Sequence, residues 1–452
     1  MTDAAPPEES APSETPSTDE RGGVFAWYRE STAKVRRVFW TCFAGWTLDS
    51  MDGLVYQYLI PVLIVGLGMT QQEAVSVASV NYFASALGGW TGGWLADRFG
   101  RARVLQITIL WFSFFSFASG FAQDYNQLLI LRGLQGLGFG AEWAVGAVLL
   151  GEVIASKHRG KAIGMVQSGG AIGSAFAALL AGPVVAMFPI EYGWRIVFWI
   201  GFLPALLVFF IRRGSDDSPL FAAARQRAKE TGRTTSPWSI FHPRLLRITI
   251  PAALLAVGVQ GAAFAVGGTY LTPFLQGERG LSVATAGIFV LMNSLGGFFG
   301  FATNAYLSDK LGRSTIFRVF GVGFVVTAAF YLLAPLGNSA FTLLPAGIVY
   351  GFFQFGMYAS FGPYLTELFP TAVRGNGQAF SYNFGRASTF IFIQGVAILS
   401  VSLSLPVSML LMGVAGVACV MIATLLLPET AGRDLAELDR RHDDQGKETG
   451  TA

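Results

Sequence analysis

Twelve long apolar stretches, separated by short polar connections, run along the chain. Six precede residue 213: Val38 to Gly66, Glu73 to Ala96, Val104 to Phe121, Gln127 to Gly151, Ala162 to Phe188 and Trp194 to Ile211. After a charged segment come six more: Ile248 to Gln276, Ser282 to Leu307, Thr315 to Leu336, Phe341 to Leu368, Gln378 to Ser400 and Pro406 to Leu427. A bilayer core about 30 Å thick takes about 20 helical residues at 1.5 Å each, so each stretch predicts one membrane-spanning helix. Strands of a membrane barrel would alternate apolar and polar positions over about ten residues; these runs are too long and too uniformly apolar. The expected organisation is a tail over 1–37, a six-helix bundle over 38–211, a central loop over 212–247, a second six-helix bundle over 248–427 and a tail over 428–452.

Composition points the same way. Of 452 residues, 52% are hydrophobic and 13% charged, about half the charged share of a soluble domain. The 55 glycines suit helices that approach backbone to backbone in lipid. Of the 31 lysines and arginines, all but Arg132, Arg195, Arg279 and Arg386 fall in the tails, in the loops on one side or, for Arg318, in the first turn of the ninth stretch on that same side. The positive-inside rule places that side, with both termini and the central loop, in the cytoplasm, and a bacterial inner membrane is the expected setting. The first 20 or so residues are rich in Pro, Ser and acids, which predicts a disordered tail, and they lack the basic start and apolar core of a signal peptide. Cys42 and Cys419 lie far apart inside apolar stretches and imply neither a disulfide framework nor a metal site. No phosphate-cradling G-x-x-x-x-G-K-(S/T) occurs, which argues against ATP-driven pumping. No metal, cofactor, nucleic-acid partner or enzymatic activity is expected, and the chain is expected to be a monomer.

The two halves repeat each other. GGWLADRFGRARV, ending the second stretch, matches NAYLSDKLGRSTI, ending the eighth, so that Asp97 aligns with Asp309 and Arg101 with Arg313. Glu152 and Arg159 in GEVIASKHRGKAIG align with Glu367 and Arg374 in TELFPTAVRGNGQA, each pair seven residues apart. Parallel repeats are one design of secondary transporters, with the substrate site at the repeat interface near the midplane.

On these residues the chain resembles the major facilitator superfamily over essentially its whole length. GWLADRFGR is similar to that family's loop motif between helices two and three, and RGLQGLGFGAEW (Arg132 to Trp143) to its fourth-helix motif. Glu152 with Arg159, and PETAGRDLAEL with Glu429 and Arg433, resemble cytoplasmic motifs shared by sugar, organic-acid and organic-ion porters; DDSPLF resembles a weakened copy of the latter. The resemblance implies an all-α membrane protein of twelve helices in two pseudo-symmetric bundles that works by alternating access. It also implies that Asp97, Arg101, Glu152, Arg159, Asp309, Arg313, Glu367, Arg374, Glu429 and Arg433 form a cytoplasmic gate, closed by acid–arginine pairs between the bundles. The plainer reading is that the arginines serve orientation alone.

Ionisable residues deep in a bilayer are costly and are functional candidates by default. Asp49 and Asp52, three apart, share one face of the first helix, and Asp49 lies about 17 Å along it from Val38. Two close carboxylates disfavour joint ionisation, which a proton-coupling site requires; pairing with an arginine is the structural alternative. Glu142, about 14 Å from the cytoplasmic end of the fourth helix, is a second candidate proton carrier or an interhelical hydrogen-bonding group. Arg132 lies nearer the outer end of that helix, as a substrate or coupling residue or as a partner of Asp49 or Asp52. Arg386 lies about 17 Å into the eleventh helix from Gly375, and its planar fork suits a carboxylate; Tyr382 and Asn383 are within a turn of it. Tyr56, Gln167, Gln354 and Tyr358 are softer candidates, each either a ligand or an interhelical hydrogen bond.

The leading expectation is proton symport of a small organic anion into the cell. D-x-x-D of the first helix resembles the D-G-x-D of aromatic-acid symporters, with Ser50 in place of glycine, while PYLTELFPTAVRGNGQAFSYNFGR is similar to the sialate and monocarboxylate branches. Proton-coupled sugar or polyol symport is the alternative. Drug–proton antiport ranks third, because Gly182 and Pro183 are not followed by the glycines of the antiporter motif.

Overall fold

The computed structural model describes residues 26–185, 187–206, 226, 236–281, 283–337, 339–433, 435 and 437. Residues 1–25 of the expected N-terminal tail over 1–37, the DDSPLF segment and most of the central loop and C-terminal tail lie outside these. Among the described residues there are helices and no strands. The first bundle holds α1 (Ala33–Gly66), α2 (Gln71–Phe99), α3 (Arg101–Ser119), α4 (Tyr125–Val153), α5 (Arg159–Leu179) and α6 (Ile190–Ile200). The second holds α7 (Pro243–Gln260), α8 (Val283–Leu311), α9 (Arg313–Leu333), α10 in two pieces (Ala340–Gly356 and Phe361–Leu368), α11 (Arg374–Leu399) and α12 (Leu405–Leu426). Seven of the described helices are long and apolar enough to cross a membrane on composition alone. Others, such as α1 with Asp49 and Asp52 or α11 with Arg374 and Arg386, are more polar because they carry the charged residues of the interior.

Four helices on the arginine-rich face begin on an arginine: Arg101 (α3), Arg159 (α5), Arg313 (α9) and Arg374 (α11). All four starts precede the apolar stretches, since these arginines satisfy their charge through partners rather than lipid. Gly100 and Gly312, with φ of 106° and 95°, precede α3 and α9, a conformation that glycine adopts without strain and the same at equivalent points of the two halves. On the opposite face, Thr70 and Glu73 form a capping box for α2 and Asp124 caps α4, satisfying otherwise orphaned N–H groups.

Within each bundle glycines set the closest approaches. A Cβ on Gly140 of α4 would overlap the Ser85 carbonyl of α2, and one on Gly296 of α8 would overlap the Ile348 carbonyl of α10. With lipid on the outside, such close packing is what holds helices together. The bundles meet along two seams, α2 against α11 and α5 against α8.

Four stretches expected as continuous helices are not: the fifth passes from α5 into a π-helical Leu180–Val184, the sixth ends as α6 at Ile200 and goes on through a turn to a 3-10 segment, Leu203–Leu206, and the seventh and tenth are also interrupted. After Gln260, α7 widens into a π-helical run, Gly261–Thr269, and the Ala263 carbonyl accepts a hydrogen bond from Gln354 Nε2 at 2.9 Å. The tenth crossing breaks between Gly356 and Phe361, where Tyr358 and Ala359 bond back three residues to Phe355 and Gly356.

Candidate functional site

The arginine-rich face is closed by two equivalent charge clusters. In one, Glu152 Oε1 accepts from Arg101 Nη2 of its own bundle at 3.4 Å and from Arg374 Nη1 of the other at 3.1 Å. In its counterpart, Glu367 accepts from Arg313 of its own bundle, Nη2 at 2.9 Å and Nε at 3.1 Å, and from Arg159 of the other at 2.9 Å. The side chains of all six are 0–2% exposed. Asp97 and Asp309 complete them. Each pairs at 2.8 Å with the arginine four residues on. Each also reaches across the seam to free N–H groups of a helix start: Asp97 to Gly375 (3.0 Å) and Asn376 (2.7 Å), Asp309 to Gly160 and Lys161 (both 3.0 Å). Carboxylates are favoured at helix N-termini, and here they also offset the arginines that begin those helices.

Two expected members of the clusters do something else. Glu429 accepts from Arg313 N at 2.7 Å and Ser314 N at 3.0 Å, so it caps α9 inside its own bundle. Among the described residues Arg433 enters through its carbonyl, 3.4 Å from Arg159 Nη1. The turn after α12, with Gly432 at φ 75°, lays the backbone and not the arginine head against the cluster. Thr430, which the sequence reading missed, donates to Glu367 at 2.6 Å.

The end of the central loop adds an aromatic strap over the α2–α11 seam. Asn376 Nδ2 donates to the Pro237 carbonyl at 3.0 Å, and its Oδ1 accepts from Trp90 Nε1 at 2.9 Å. Trp238 and Phe241 pack edge-on against Trp90 of one bundle, and Phe241 against Phe380 of the other.

Both seams stay tight up to mid-membrane. A Cβ on Gly93 would overlap Ala379 and one on Gly89 would overlap the Asn383 amide; along α5, one on Gly164 would overlap Ala305. Above these points lies Arg386. It is partly exposed, its Nη1 is 3.5 Å from Ser85 Oγ, and its guanidinium lies over the rings of Phe139 (5.3 Å) and Tyr382 (5.2 Å). Among the described residues no carboxylate stands within ion-pair distance of it.

Asp49 is 1% exposed, and neither carboxylate oxygen finds a hydrogen-bond partner among the described residues. It lies within electrostatic reach of Glu142, Arg386 and Asp52. Glu142 presents Oε1 to Gly45, one turn before Asp49 on α1, and its Oε2 is likewise unpartnered among the described residues. The two acids thus follow one another along the α1–α4 contact, and Arg386 of the other bundle is within electrostatic reach of Asp49.

Asp52 is spent differently. It takes the Ser116 hydroxyl and the Gln135 amide as donors, and Arg132 Nη1 lies 3.6 Å from it. Arg132 is sandwiched by Tyr56 (5.0 Å) and Phe198 (5.5 Å). Pairing, the structural alternative, therefore describes Asp52 and Arg132. Tyr56 donates to the Ala74 carbonyl at 2.8 Å and belongs to this buried network rather than to the Arg386 region. Gln354 bonds Asn293 and the α7 backbone inside its own bundle. Asn383 fills the α2–α11 seam. Gln167 Nε2 reaches the Tyr358 carbonyl across the other seam at 3.5 Å, and Tyr358 lies buried near Tyr382 and Arg386. The reading missed Tyr82, Ser85 and Phe139 around Arg386. For Tyr82 and Ser85 the signal was present: Tyr82, Ser85, Gly89, Gly93 and Asp97 recur at the three- and four-residue spacing of one helix face.

The Major Facilitator Superfamily profile matches residues 41–393. A protein of Cupriavidus pinatubonensis named "Probable 4-methylmuconolactone transporter" is 40% identical over 409 residues, 90% of this chain and 94% of its own. The "Cis,cis-muconate transport protein" of Acinetobacter baylyi is 27% identical over 395 residues, 86% of this chain and 94% of its own. The "Sialic acid transporter NanX" of Escherichia coli is 26% identical over 366 residues, 80% and 86% respectively. Among solved structures, a proton:xylose symporter bound to 6-bromo-6-deoxy-D-glucose superposes with a TM-score of 0.75 at 18% identity, covering 90% of this chain and 99% of that one, a likeness of fold. The chain belongs to the Major Facilitator Superfamily and is an integral membrane transporter, not an enzyme.

Proposed function

We propose that the protein imports a small organic acid anion together with a proton by alternating access, with the arginine-rich face and both termini in the cytoplasm. The observation that carries this is that Arg386, a partly exposed cation with no carboxylate within ion-pair distance among the described residues, lies within electrostatic reach of Asp49, a buried carboxyl without a hydrogen-bond partner among them. An arginine stays charged and offers a planar fork to a carboxylate. A buried carboxyl without hydrogen-bond donors is costly unless a proton or a nearby cation neutralises it. In this reading the anion binds Arg386 from outside while the two charge clusters keep the inner face shut. Asp49 takes the proton, with Glu142 one turn further in as its relay and Asp52 held by Arg132. Loading only one partner leaves an uncompensated buried charge, several kcal/mol in cost, so the bundles rock only when both or neither are bound. The named substrates of the relatives, muconate, a methylmuconolactone and sialic acid, support an organic acid as cargo.

Transport in proteoliposomes tests this. An inward proton gradient is expected to drive accumulation of cis,cis-muconate by the wild type. Asp49→Asn is expected to keep counterflow and lose gradient-driven accumulation, and Arg386→Gln to lose both. Muconate uptake indifferent to the proton gradient excludes the coupling.

A further inference from the structure

The α2 face that meets Arg386 does not end at Ser85. Tyr82 lies three residues before it, one turn further from the closed face and on the same side of the helix, about 4.5 Å along the axis. Tyr82 is 43% exposed, and it shares its side of the helix with Ser85, whose hydroxyl meets Arg386. Its neighbour Phe83, 64% exposed, is turned by about 100° on the helix. Gln57 of α1, also exposed, donates its Nε2 to the Tyr82 hydroxyl at 2.5 Å. A hydroxyl that accepts from an amide still has its own hydrogen to give, and the bond it accepts strengthens the one it donates. Other mid-membrane amides among the described residues, such as Asn81 with Gln135 and Asn293 with Gln354, are buried and bonded to each other. The Gln57–Tyr82 pair is instead presented to the space beside Arg386.

Resting on the assignment of Arg386 to the substrate carboxylate, we propose that Tyr82, positioned by Gln57, donates to a second oxygen of the substrate. The preferred cargo is then an organic anion with an acceptor oxygen at the end away from that carboxylate, such as a dicarboxylate, an oxo or lactone acid or a ring-hydroxylated acid.

Two ligands separate this from general anion binding: trans,trans-muconate, and sorbate, which has the same six-carbon diene with one carboxylate replaced by methyl. Binding to the purified full-length protein is measured by titration calorimetry and by competition. Wild type is expected to prefer muconate. Tyr82→Phe, which keeps the ring, is expected to weaken muconate about tenfold, the share of one hydrogen bond to a charged group, and to leave sorbate unchanged. Gln57→Leu is expected to give a smaller loss with the same selectivity. Equal affinity of wild type for the two acids, or a Tyr82→Phe effect equal on both or absent, overturns the proposal. Arg386→Gln is the separate control. If it leaves both affinities intact, the carboxylate assignment falls; if it removes both while Tyr82→Phe alters neither, that assignment stands and the Tyr82 proposal alone fails.

Discussion

Replacing Glu152 with glutamine isolates what the cross-bundle pairs contribute to the closed state. Glu152 has two arginine partners with different consequences. Arg101 belongs to the same bundle and keeps Asp97 at 2.8 Å, the Ala96 carbonyl at 2.9 Å and, across the seam, the Thr371 carbonyl at 3.2 Å after the change, so the loss of its bond to Glu152 is felt equally whether the face is closed or open. Arg374 belongs to the other bundle, and its 3.1 Å contact exists only when the face is closed. The conformational equilibrium therefore loses one charge-assisted hydrogen bond, about 2 kcal/mol, or roughly thirtyfold in the closed-to-open ratio. Spin labels at Arg103→Cys and Lys310→Cys, exposed positions on the two bundles, in a Cys42→Ser/Cys419→Ser background, report that ratio as a distance distribution. Glu152→Gln is expected to add a long-distance population, and Glu367→Gln to do the same through Arg159. Glu429→Gln, which uncaps α9 inside one bundle, is expected to leave the distribution as it was. An unchanged distribution in both Glu152→Gln and Glu367→Gln would refute the gate and leave the arginines with orientation alone.

Two further outcomes follow from the packing. Trp238 is 66% exposed and contributes to closure through its edge-on contact with Trp90, so Trp238→Ala is expected to shift the same spin-label distribution by about fivefold, the worth of one aromatic pair near 1 kcal/mol, without lowering thermal stability. Gly140→Val drives a side chain into the Ser85 carbonyl and is expected to cost about 3 kcal/mol or more, read as a lowered Tm or loss of folded protein in detergent, whereas Gly277→Ala, with nothing within 4 Å, is expected to leave Tm unchanged.

The crossings were legible because apolar length and basic loops are local properties, readable one segment at a time. Partner choice is not local. Arg132 matches Asp49 and Asp52 equally well by composition, and only the packing of α1 on α3 and α4, which brings Ser116 and Gln135 to the same carboxylate, gives it to Asp52. That assignment in turn leaves Asp49 without a hydrogen-bond partner among the described residues. Glu429 shows the opposite limit. Its motif places it correctly beside the clusters, but whether a carboxylate there meets an arginine head or a helix start depends on a turn at Gly432 that no residue pattern announces. Tyr82 shows a third limit: the helix face it shares with Ser85 and Asp97 was legible, but a tyrosine in a membrane helix reads as an ordinary packing residue until its neighbours are known. What distinguishes it is that it lies just above the place where the two bundles stop touching. In a transporter built from two repeats that boundary matters most, since groups below it are paired to hold one state and groups at it part when the bundles separate. Polar side chains at the first turn above the last closed contact, Ser85 to Arg386 on one seam and Gln167 to Tyr358 on the other, are therefore where substrate selectivity is to be sought, ahead of the more strongly charged residues deeper in the bundle.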